Sequence, residues 1–205
     1  MDYQPDEIDE IYEEQSHEDK DKKARMELYD WIQTIVTALI LAVLIFVFVG
    51  RRISVDGYSM SRTLIHTDQV IISNLFYTPR NGDIIVFQSP SPMFADPLVK
   101  RIIAIPGQEI DIDFTTGNVY VDGVVIYEPY IHTSTINRHD FVGPITIPDG
   151  YVFVLGDHRE FTIDSRSNSV GLVDDRYILG RVLMIMIPGA GRDGTRDWSR
   201  FGAPA

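Results

Sequence analysis

A lysine within an aliphatic segment is a candidate for chemistry that a hydrated lysine cannot perform. Lys100 lies in the run Leu98-Val-Lys-Arg-Ile-Ile-Ala-Ile-Pro-Gly107. In an extended strand with a two-residue period, Lys100 shares one face with Leu98 and Ile102, and Arg101 lies on the other. An amine among aliphatic neighbours loses hydration, which lowers its pKa toward the range of a general base. The alternative is an edge strand whose lysine extends to water.

The histidines and the absence of cysteine narrow the chemistry further. None of the five histidines has the i, i+4 spacing or the cysteine companions of a zinc site. They are His17, His66, His132, His139 and His158. The segment Gly57-Tyr-Ser-Met-Ser61 ends in serine where the G-x-S-x-G elbow of Ser-His-Asp hydrolases needs glycine. A chain with no cysteine has no thiolate nucleophile or disulfide. We therefore expect neither a metal nor a cofactor.

A third segment brings charges of both signs into one predicted loop. It runs Leu155-Gly-Asp-His-Arg-Glu-Phe-Thr-Ile-Asp-Ser-Arg166 and follows a predicted apolar strand. Loops that leave a rigid sheet commonly carry functional residues. The alternative is an ion-pair network that only holds the loop in place.

Two kinds of element would position these residues, and the first is an apolar helix. Residues 31–50 are twenty positions without a charge, which form a helix about 30 Å long, roughly one hydrocarbon thickness. Aromatic residues at Tyr29 and Trp31 flank one end, and Arg51 flanks the other, as interfacial anchors do. The sequence predicts a transmembrane helix over residues 29–50. A long polar segment precedes it and no small-residue cleavage site follows, so a cleavable signal peptide fits poorly.

The second element is an antiparallel, mainly β domain over residues 51–205. Turn pairs such as Asn81-Gly82 and Asp122-Gly123 separate short runs rich in β-branched residues. The predicted strands are Gln69–Ser73, Asp83–Gln88, Leu98–Ile105, Glu109–Phe114, Val119–Val121, Val124–Tyr127, Tyr151–Leu155 and Tyr177–Ile187. A small cap-like region is expected at about 108–148, and its stretch 129–148 has weak periodicity that predicts a long loop.

Charge divides the chain. The formal net charge is -12, of which residues 1–30, with twelve acidic and four basic residues, contribute -8. This balance argues against nucleic-acid binding, because a basic face must displace the counterions of phosphates. Residues 1–28 are predicted to form an acidic disordered tail. Four basic residues precede the apolar helix and two follow it, which favours a cytoplasmic N-terminus.

Taken in order, these segments resemble the bacterial type I signal peptidases, or leader peptidases. The order is the membrane helix, Gly57-Tyr-Ser-Met-Ser-Arg-Thr-Leu64, Gly82-Asp-Ile-Ile-Val-Phe87, the lysine segment ending at Gly107, and the charged loop Gly156–Arg166. Each motif alone is weak, but four motifs in this order after one membrane helix are a specific signature of the family. With the helix they span residues 31 to about 187. A single membrane helix resembles the Gram-positive branch. The resemblance implies an antiparallel Ser-Lys peptidase fold of the signal-peptidase/LexA-like type.

The resemblance makes Ser59 the nucleophile and Lys100 its general base, a dyad that dispenses with histidine. A serine hydroxyl is a weak nucleophile until a base takes its proton, and only a neutral amine can do so. The apolar face around Lys100 supplies the desolvation that this requires. The Ser59 N–H is the expected oxyanion donor, and Gly57 could add only a backbone group.

The resemblance also implies supporting residues. Thr162 aligns with a serine whose hydroxyl orients the lysine, and Asp164 with Arg166 forms an ion pair that supports the site. Two other positions depart from the family motif, since Arg62 replaces a proline and His158 replaces an asparagine. An imidazole at this place would add pH sensitivity.

Type I signal peptidases cut exported preproteins after small-x-small sequences. We therefore expect a plasma-membrane endopeptidase with a cytoplasmic N-terminus and an extracytoplasmic catalytic domain. Its expected partners are preprotein signal peptides, bound as an added strand, the lipid bilayer and the secretion translocon. Phe76-Tyr77 and Met93-Phe94 are candidates to enter the membrane interface, with ordinary loop packing as the alternative. Two other functions fit the same residues: a Ser-Lys protease for a narrow set of surface proteins, and a non-catalytic binder of signal peptides.

Overall fold

The computed structural model describes residues 22, 23, 25–43, 50–191 and 193–204. The chain divides into two units, Met1–Val47 and Phe48–Ala205. The first unit contains an apolar helix and the second contains all the strands that follow.

Helix α1 spans Arg25–Val43, and it is long and apolar enough to cross a membrane. Its 19 residues extend about 28 Å at the α-helical rise. The helix begins before the predicted boundary at residue 29, because the sequence Arg25-Met-Glu-Leu28 consists of good helix formers. The predicted tail over residues 1–28 therefore overlaps the first turn of this helix. Residues 1–21, 24 and 44–49, which complete the predicted tail and span, lie outside the described residues.

Two antiparallel sheets form the second unit. The larger sheet has the strand order β1-β2-β11-β3-β4-β9-β10. Its strands are β1 (Arg51–Ser54), β2 (Gln69–Ser73), β3 (Ile84–Phe87), β4 (Leu98–Ala104), β9 (Tyr151–Leu155), β10 (Val173–Asp174) and β11 (Ile178–Ile187). The smaller sheet has the order β7-β6-β5-β8. Its strands are β5 (Glu109–Asp113), β6 (Asn118–Val121), β7 (Val124–Val125) and β8 (Ile145–Thr146). The mainly β antiparallel fold is therefore confirmed.

All eight predicted strands are present, and their ends agree with the predicted ends to within two residues. The sequence did not predict three short strands, β1, β8 and β10. Strand β8 lies within the stretch 129–148 that was predicted to be a loop. The smaller sheet, formed by strands within residues 109–146, occupies the region predicted to be cap-like.

Strand β4 lies in the interior of the large sheet. This position distinguishes between a desolvated lysine and an edge-strand lysine that extends to water. It pairs with β3 through Ile85–Lys100 and Ile84–Arg101, and with β9 through Arg101–Leu155. Ile102 and Ile103 are buried in different hydrophobic clusters, so both faces of the strand are covered. The edge-strand alternative for Lys100 is therefore wrong.

Candidate active site

Ser59 lies in a compact turn between β1 and β2, which we call the nucleophile turn (residues 58–64). Backbone hydrogen bonds from Ser61 N to Tyr58 O (3.0 Å) and from Leu64 N to Met60 O (2.8 Å) close the turn. Met60 and Leu64 are buried in the core and fix the turn to the large sheet. The buried residues that follow Ser59 therefore hold the turn in place, while Ser59 itself remains partly exposed.

The Lys100 amine lies against the Ser59 hydroxyl. Its Nζ is 2.9 Å from Ser59 Oγ and donates to Val99 O at 3.0 Å. Only 3% of the Lys100 surface is exposed. When the amine is neutral, one N–H can donate to Val99 O while its lone pair accepts the Ser59 hydroxyl proton. The contact therefore has the geometry that a general base needs.

Burial lowers the pKa of Lys100 from 10.5 to about 8. Loss of hydration is the main cause, because it disfavours the ammonium form. The nearby carboxylates of Asp164 and Asp157 act in the opposite direction and favour the charged form. About a tenth of Lys100 is then neutral at pH 7, whereas an ordinary lysine is neutral in about one molecule in 3000.

The predicted pair of Asp164 and Arg166 is present, and both side chains are fully buried. Arg166 Nε donates to Asp164 Oδ1 and its Nη2 donates to Oδ2, each at 2.9 Å. Arg166 also donates to Asn137 O (2.7 Å) and Arg159 O (2.8 Å), while Asp164 accepts from Gly156 N (3.1 Å). The pair therefore ties both ends of the charged loop to the 129–148 excursion, beside the lysine.

A second buried ion pair, which the sequence did not reveal, joins Arg101 to Asp157. Arg101 Nε and Nη2 donate to the two Asp157 oxygens at 2.9 and 2.8 Å, and Thr63 Oγ1 donates to Asp157 Oδ2 at 2.6 Å. The Arg101 guanidinium also lies 3.8 Å from the Tyr130 ring centre. The nucleophile turn, strand β4 and the charged loop therefore meet at one carboxylate.

A third pair, Arg159 with Glu128, was missed for a different reason. Arg159 is fully buried and donates to both Glu128 oxygens, to Thr135 Oγ1 and to Gly156 O. Glu128 lies just before the aperiodic stretch 129–148, and nothing in the sequence distinguishes it from a surface residue. The crowding of charges in the loop was the available signal. The ion-pair network is present, and two of its carboxylates, Asp157 and Asp164, also act on the charge of Lys100.

Thr162 does not make the contact that the resemblance implied. Its hydroxyl is buried, and it has no hydrogen-bond partner among the described residues. The threonine packs against Gly156, where an added Cβ would lie 2.4 Å from Thr162 Oγ1 and 2.7 Å from Ser59 O. The hydroxyl therefore touches the loop backbone, and Lys100 is oriented by Val99 O and Ser59.

The two backbone N–H groups expected to bind an oxyanion, those of Gly57 and Ser59, differ in whether they already have a hydrogen-bond partner. Gly57 has φ +98°, and its N–H is directed to His66 Nδ1 at 3.4 Å. The Ser59 N–H makes no hydrogen bond within the described part of the chain. Ser59 N–H is therefore available for an oxyanion, whereas the Gly57 N–H already has a partner.

The two departures from the motif lie on either side of the nucleophile. Arg62 adopts φ +84°, a value that the ring of proline forbids, and its Nη1 lies 3.5 Å from Ile131 O. His158 donates its backbone N–H to Ser59 O at 3.0 Å. Its ring packs edge-on against His132, with centroids 4.8 Å apart. His158 thus supports the nucleophile turn through its backbone.

A mainly β domain with a serine hydroxyl against a buried amine has the arrangement expected of a Ser-Lys hydrolase. Residues 28–187 match the family model described as "Signal peptidase, peptidase S26". Signal peptidase I P of Bacillus subtilis subsp. natto is 32% identical over 180 residues, which are 83% of this chain and 95% of that protein. Probable signal peptidase I-2 of Synechocystis sp. is 35% identical over 168 residues, 77% of this chain and 74% of that protein.

A crystal structure of a signal peptidase I from Enterococcus faecalis V583 is 28% identical, with a TM-score of 0.41, and the match covers 51% of this chain and 97% of that chain. The family match covers well over half of the chain described here. The chain belongs to the S26 family of signal peptidases, and it is an enzyme of the type I signal peptidase class.

Proposed function

We propose that the protein removes N-terminal signal peptides from exported preproteins by cleavage after small-x-small sequences. Ser59 is the nucleophile and Lys100 is the general base. The observation that carries this proposal is the 2.9 Å contact between the Ser59 hydroxyl and an amine that is almost fully buried. A dyad of this kind needs no histidine, metal or cofactor.

Acylation begins when neutral Lys100 takes the Ser59 proton as Oγ attacks the scissile carbonyl carbon. The Ser59 N–H stabilises the oxyanion of the tetrahedral intermediate. The Lys100 ammonium then donates its proton to the leaving amine, the C–N bond breaks, and an ester joins the signal peptide to Ser59. Asp164 and Asp157 favour the transient ammonium because they favour the charged form of this lysine.

Deacylation repeats the proton transfer with water as the nucleophile. Lys100 takes a proton from a water molecule, which attacks the ester carbon, and returns a proton to Ser59 Oγ as the ester bond breaks. The signal peptide leaves as a free carboxylate. The hydrogen bond from Lys100 to Val99 O holds the amine in one place through both half-reactions.

We further propose that helix α1 anchors the enzyme in the plasma membrane, with its N-terminus cytoplasmic and the β domain outside. The length and apolar composition of Arg25–Val43 support a membrane span. Ser59 follows the end of the predicted span at Gly50 by only nine residues in the sequence. A short tether confines the dyad to the region where signal peptides leave the bilayer, which raises the effective concentration of substrate. The proposed partners are signal peptides, lipid and the secretion translocon.

Incubation of preproteins with the purified full chain in detergent tests the proposal, with cut sites mapped by mass spectrometry. Wild-type enzyme is expected to cut after small-x-small sequences, whereas Ser59→Ala, Lys100→Ala and Lys100→Arg are expected to be inactive. Arginine fails because its guanidinium stays protonated. Full activity in Lys100→Ala would refute the dyad. Cutting in only a few preproteins would favour a narrow-target protease.

His158→Ala is the matched control for these variants. The His158 ring lies near the nucleophile turn but its contacts there run through the backbone, so the variant is expected to keep most activity. Loss of activity in this variant equal to that of Lys100→Ala would point to a histidine base instead.

A further inference from the structure

The chain after β11 turns back along the sheet and reaches the nucleophile turn. We call residues 188–204 the C-terminal strap. Its Gly202 pairs with Ile185 of β11 through two backbone hydrogen bonds of 2.7 and 3.1 Å, and Ala190 pairs with Arg196 within the strap. The strap begins directly after residue 187, where the family match ends. Its contacts are therefore additional to the motifs that carry the family assignment.

One buried carboxylate links the strap to the segment that carries the nucleophile. Asp68 is completely buried, and it accepts hydrogen bonds from Arg200 Nη1 (2.8 Å) and Nη2 (2.6 Å). The same carboxylate accepts from Gly189 N at 2.6 Å and from Ile65 N at 2.8 Å. Three donor groups from the strap, on Arg200 and Gly189, and one from Ile65, directly after the nucleophile turn, thus share a single buried charge. A bidentate pair of this kind fixes orientation as well as distance.

Arg200 also contacts the nucleophile turn directly. Its Nη2 donates to Thr63 O at 3.1 Å. The Thr63 hydroxyl in turn donates to Asp157, the carboxylate that holds Arg101 beside the lysine on β4. A continuous set of hydrogen bonds therefore runs from the strap through the far end of the nucleophile turn to the strand of Lys100.

We infer that Arg200 is a positioning residue for the peptidase reaction, which holds the nucleophile turn so that Ser59 stays within reach of Lys100. This inference rests on the proposed function of Ser59 and Lys100. Both contacts of Arg200 end on the segment around the nucleophile, Thr63 in the turn and Asp68 just after it. A shift of about 1 Å between reacting groups can lower a rate by about a hundredfold. Loss of Arg200 should therefore act on kcat rather than on substrate binding.

Arg200→Ala and Arg200→Lys in the full chain test this role, with kcat and KM measured on one preprotein substrate. We expect kcat of Arg200→Ala to fall between about tenfold and a hundredfold, with KM changed less than about twofold. Arg200→Lys is expected to lie between this variant and wild type, because one ammonium can bind Asp68 but cannot reproduce the fork that also reaches Thr63. Thermal unfolding gives the Tm of each variant, and the kinetics are measured well below the lowest Tm.

Arg196→Ala is the matched control, because the Arg196 side chain donates to Pro188 O within the strap. It removes an arginine from the same segment and is expected to keep kcat near wild type. If Arg200→Ala does not fold, Arg200→Lys alone tests the inference, and its kcat is expected to fall severalfold. An unchanged kcat in the folded Arg200 variants, or an equal loss in Arg196→Ala, overturns the inference. Activity in Ser59→Ala or Lys100→Ala would instead overturn the proposed function.

Discussion

The proposed role of the buried Lys100 amine as general base predicts that activity depends on pH in a defined way. Only the neutral amine can take the Ser59 proton, and its pKa is lowered to about 8. We predict that kcat/KM rises about tenfold per pH unit below about pH 7, reaches half its maximum near pH 8 and levels off above about pH 9. The direction follows from the charge, because raising the pH converts ammonium into the catalytic form.

The size of the effect follows from the same values. The neutral fraction is about 9% at pH 7, about 50% at pH 8 and about 91% at pH 9. A lysine with the ordinary pKa of 10.5 would instead give a rate still rising steeply at pH 10. Burial thus increases the reactive fraction at pH 7 by about 300-fold.

The assay is cleavage of a preprotein whose residues near the scissile bond do not titrate between pH 6 and 10. The profile is recorded for wild type and for His158→Ala, whose acid limb is expected to coincide with that of wild type. A half-maximum near pH 6.5 that disappears in His158→Ala would show that a histidine is the base. A half-maximum above pH 10 would show that the lysine is hydrated in the working enzyme. Either result refutes the assignment of a buried neutral amine.

Three further changes have expected outcomes. Lys100→Met should abolish cleavage yet raise the free energy of unfolding at pH 7 by about 3 kcal/mol. This gain is full below about pH 8, falls between pH 8 and 10.5, and disappears above that range, where the lysine is neutral in both states. Urea titrations at several pH values measure it. Asp164→Asn should lower stability by about 3 to 5 kcal/mol, because Arg166 stays buried without its counter-charge, and wild-type-like unfolding would contradict this. Thr162→Val should leave the free energy of unfolding near the wild-type value and keep kcat within about threefold of wild type, since the hydroxyl has no partner. A large loss of kcat would show that this hydroxyl contacts Lys100 during turnover.

The strands that were predicted from the sequence are those whose apolar or alternating runs are long enough to be recognised as a β pattern. Runs such as Leu98–Ala104 and Tyr151–Leu155 are rich in β-branched residues and end at turn pairs. Strand β1 has the sequence Arg-Arg-Ile-Ser and is mostly exposed, so it shows no hydrophobic pattern from which a strand could be predicted. Strands β8 and β10 have two residues each, which is too short for any period to appear.

The features of the candidate site that depend on neighbours in the sequence were predicted, and those that depend on residues distant in the sequence were missed. The aliphatic neighbours of Lys100 lie beside it in the sequence, so its desolvation could be predicted. Its interior position depends on β3 and β9, which only the structure shows. The partner of Arg159 is Glu128, 31 positions earlier and just before the aperiodic stretch, and no local pattern connects the two. The expected Thr162 contact came from the resemblance, and the Thr162 hydroxyl instead lies beside Gly156 without a hydrogen-bond partner among the described residues.

The placement of β4 between β3 and β9 has a consequence for the timing of activity. Ile102, on the lysine face of β4, packs against Val152 and Val154 of β9, more than 45 positions later in the chain. A nascent chain that already displays Ser59 and Lys100 therefore has neither this cover nor the carboxylates of the charged loop, and its lysine remains an ordinary hydrated ammonium. Under the proposed mechanism, the general base therefore forms only after β9 and the charged loop have joined the fold, so activity is expected to follow completion of the β domain.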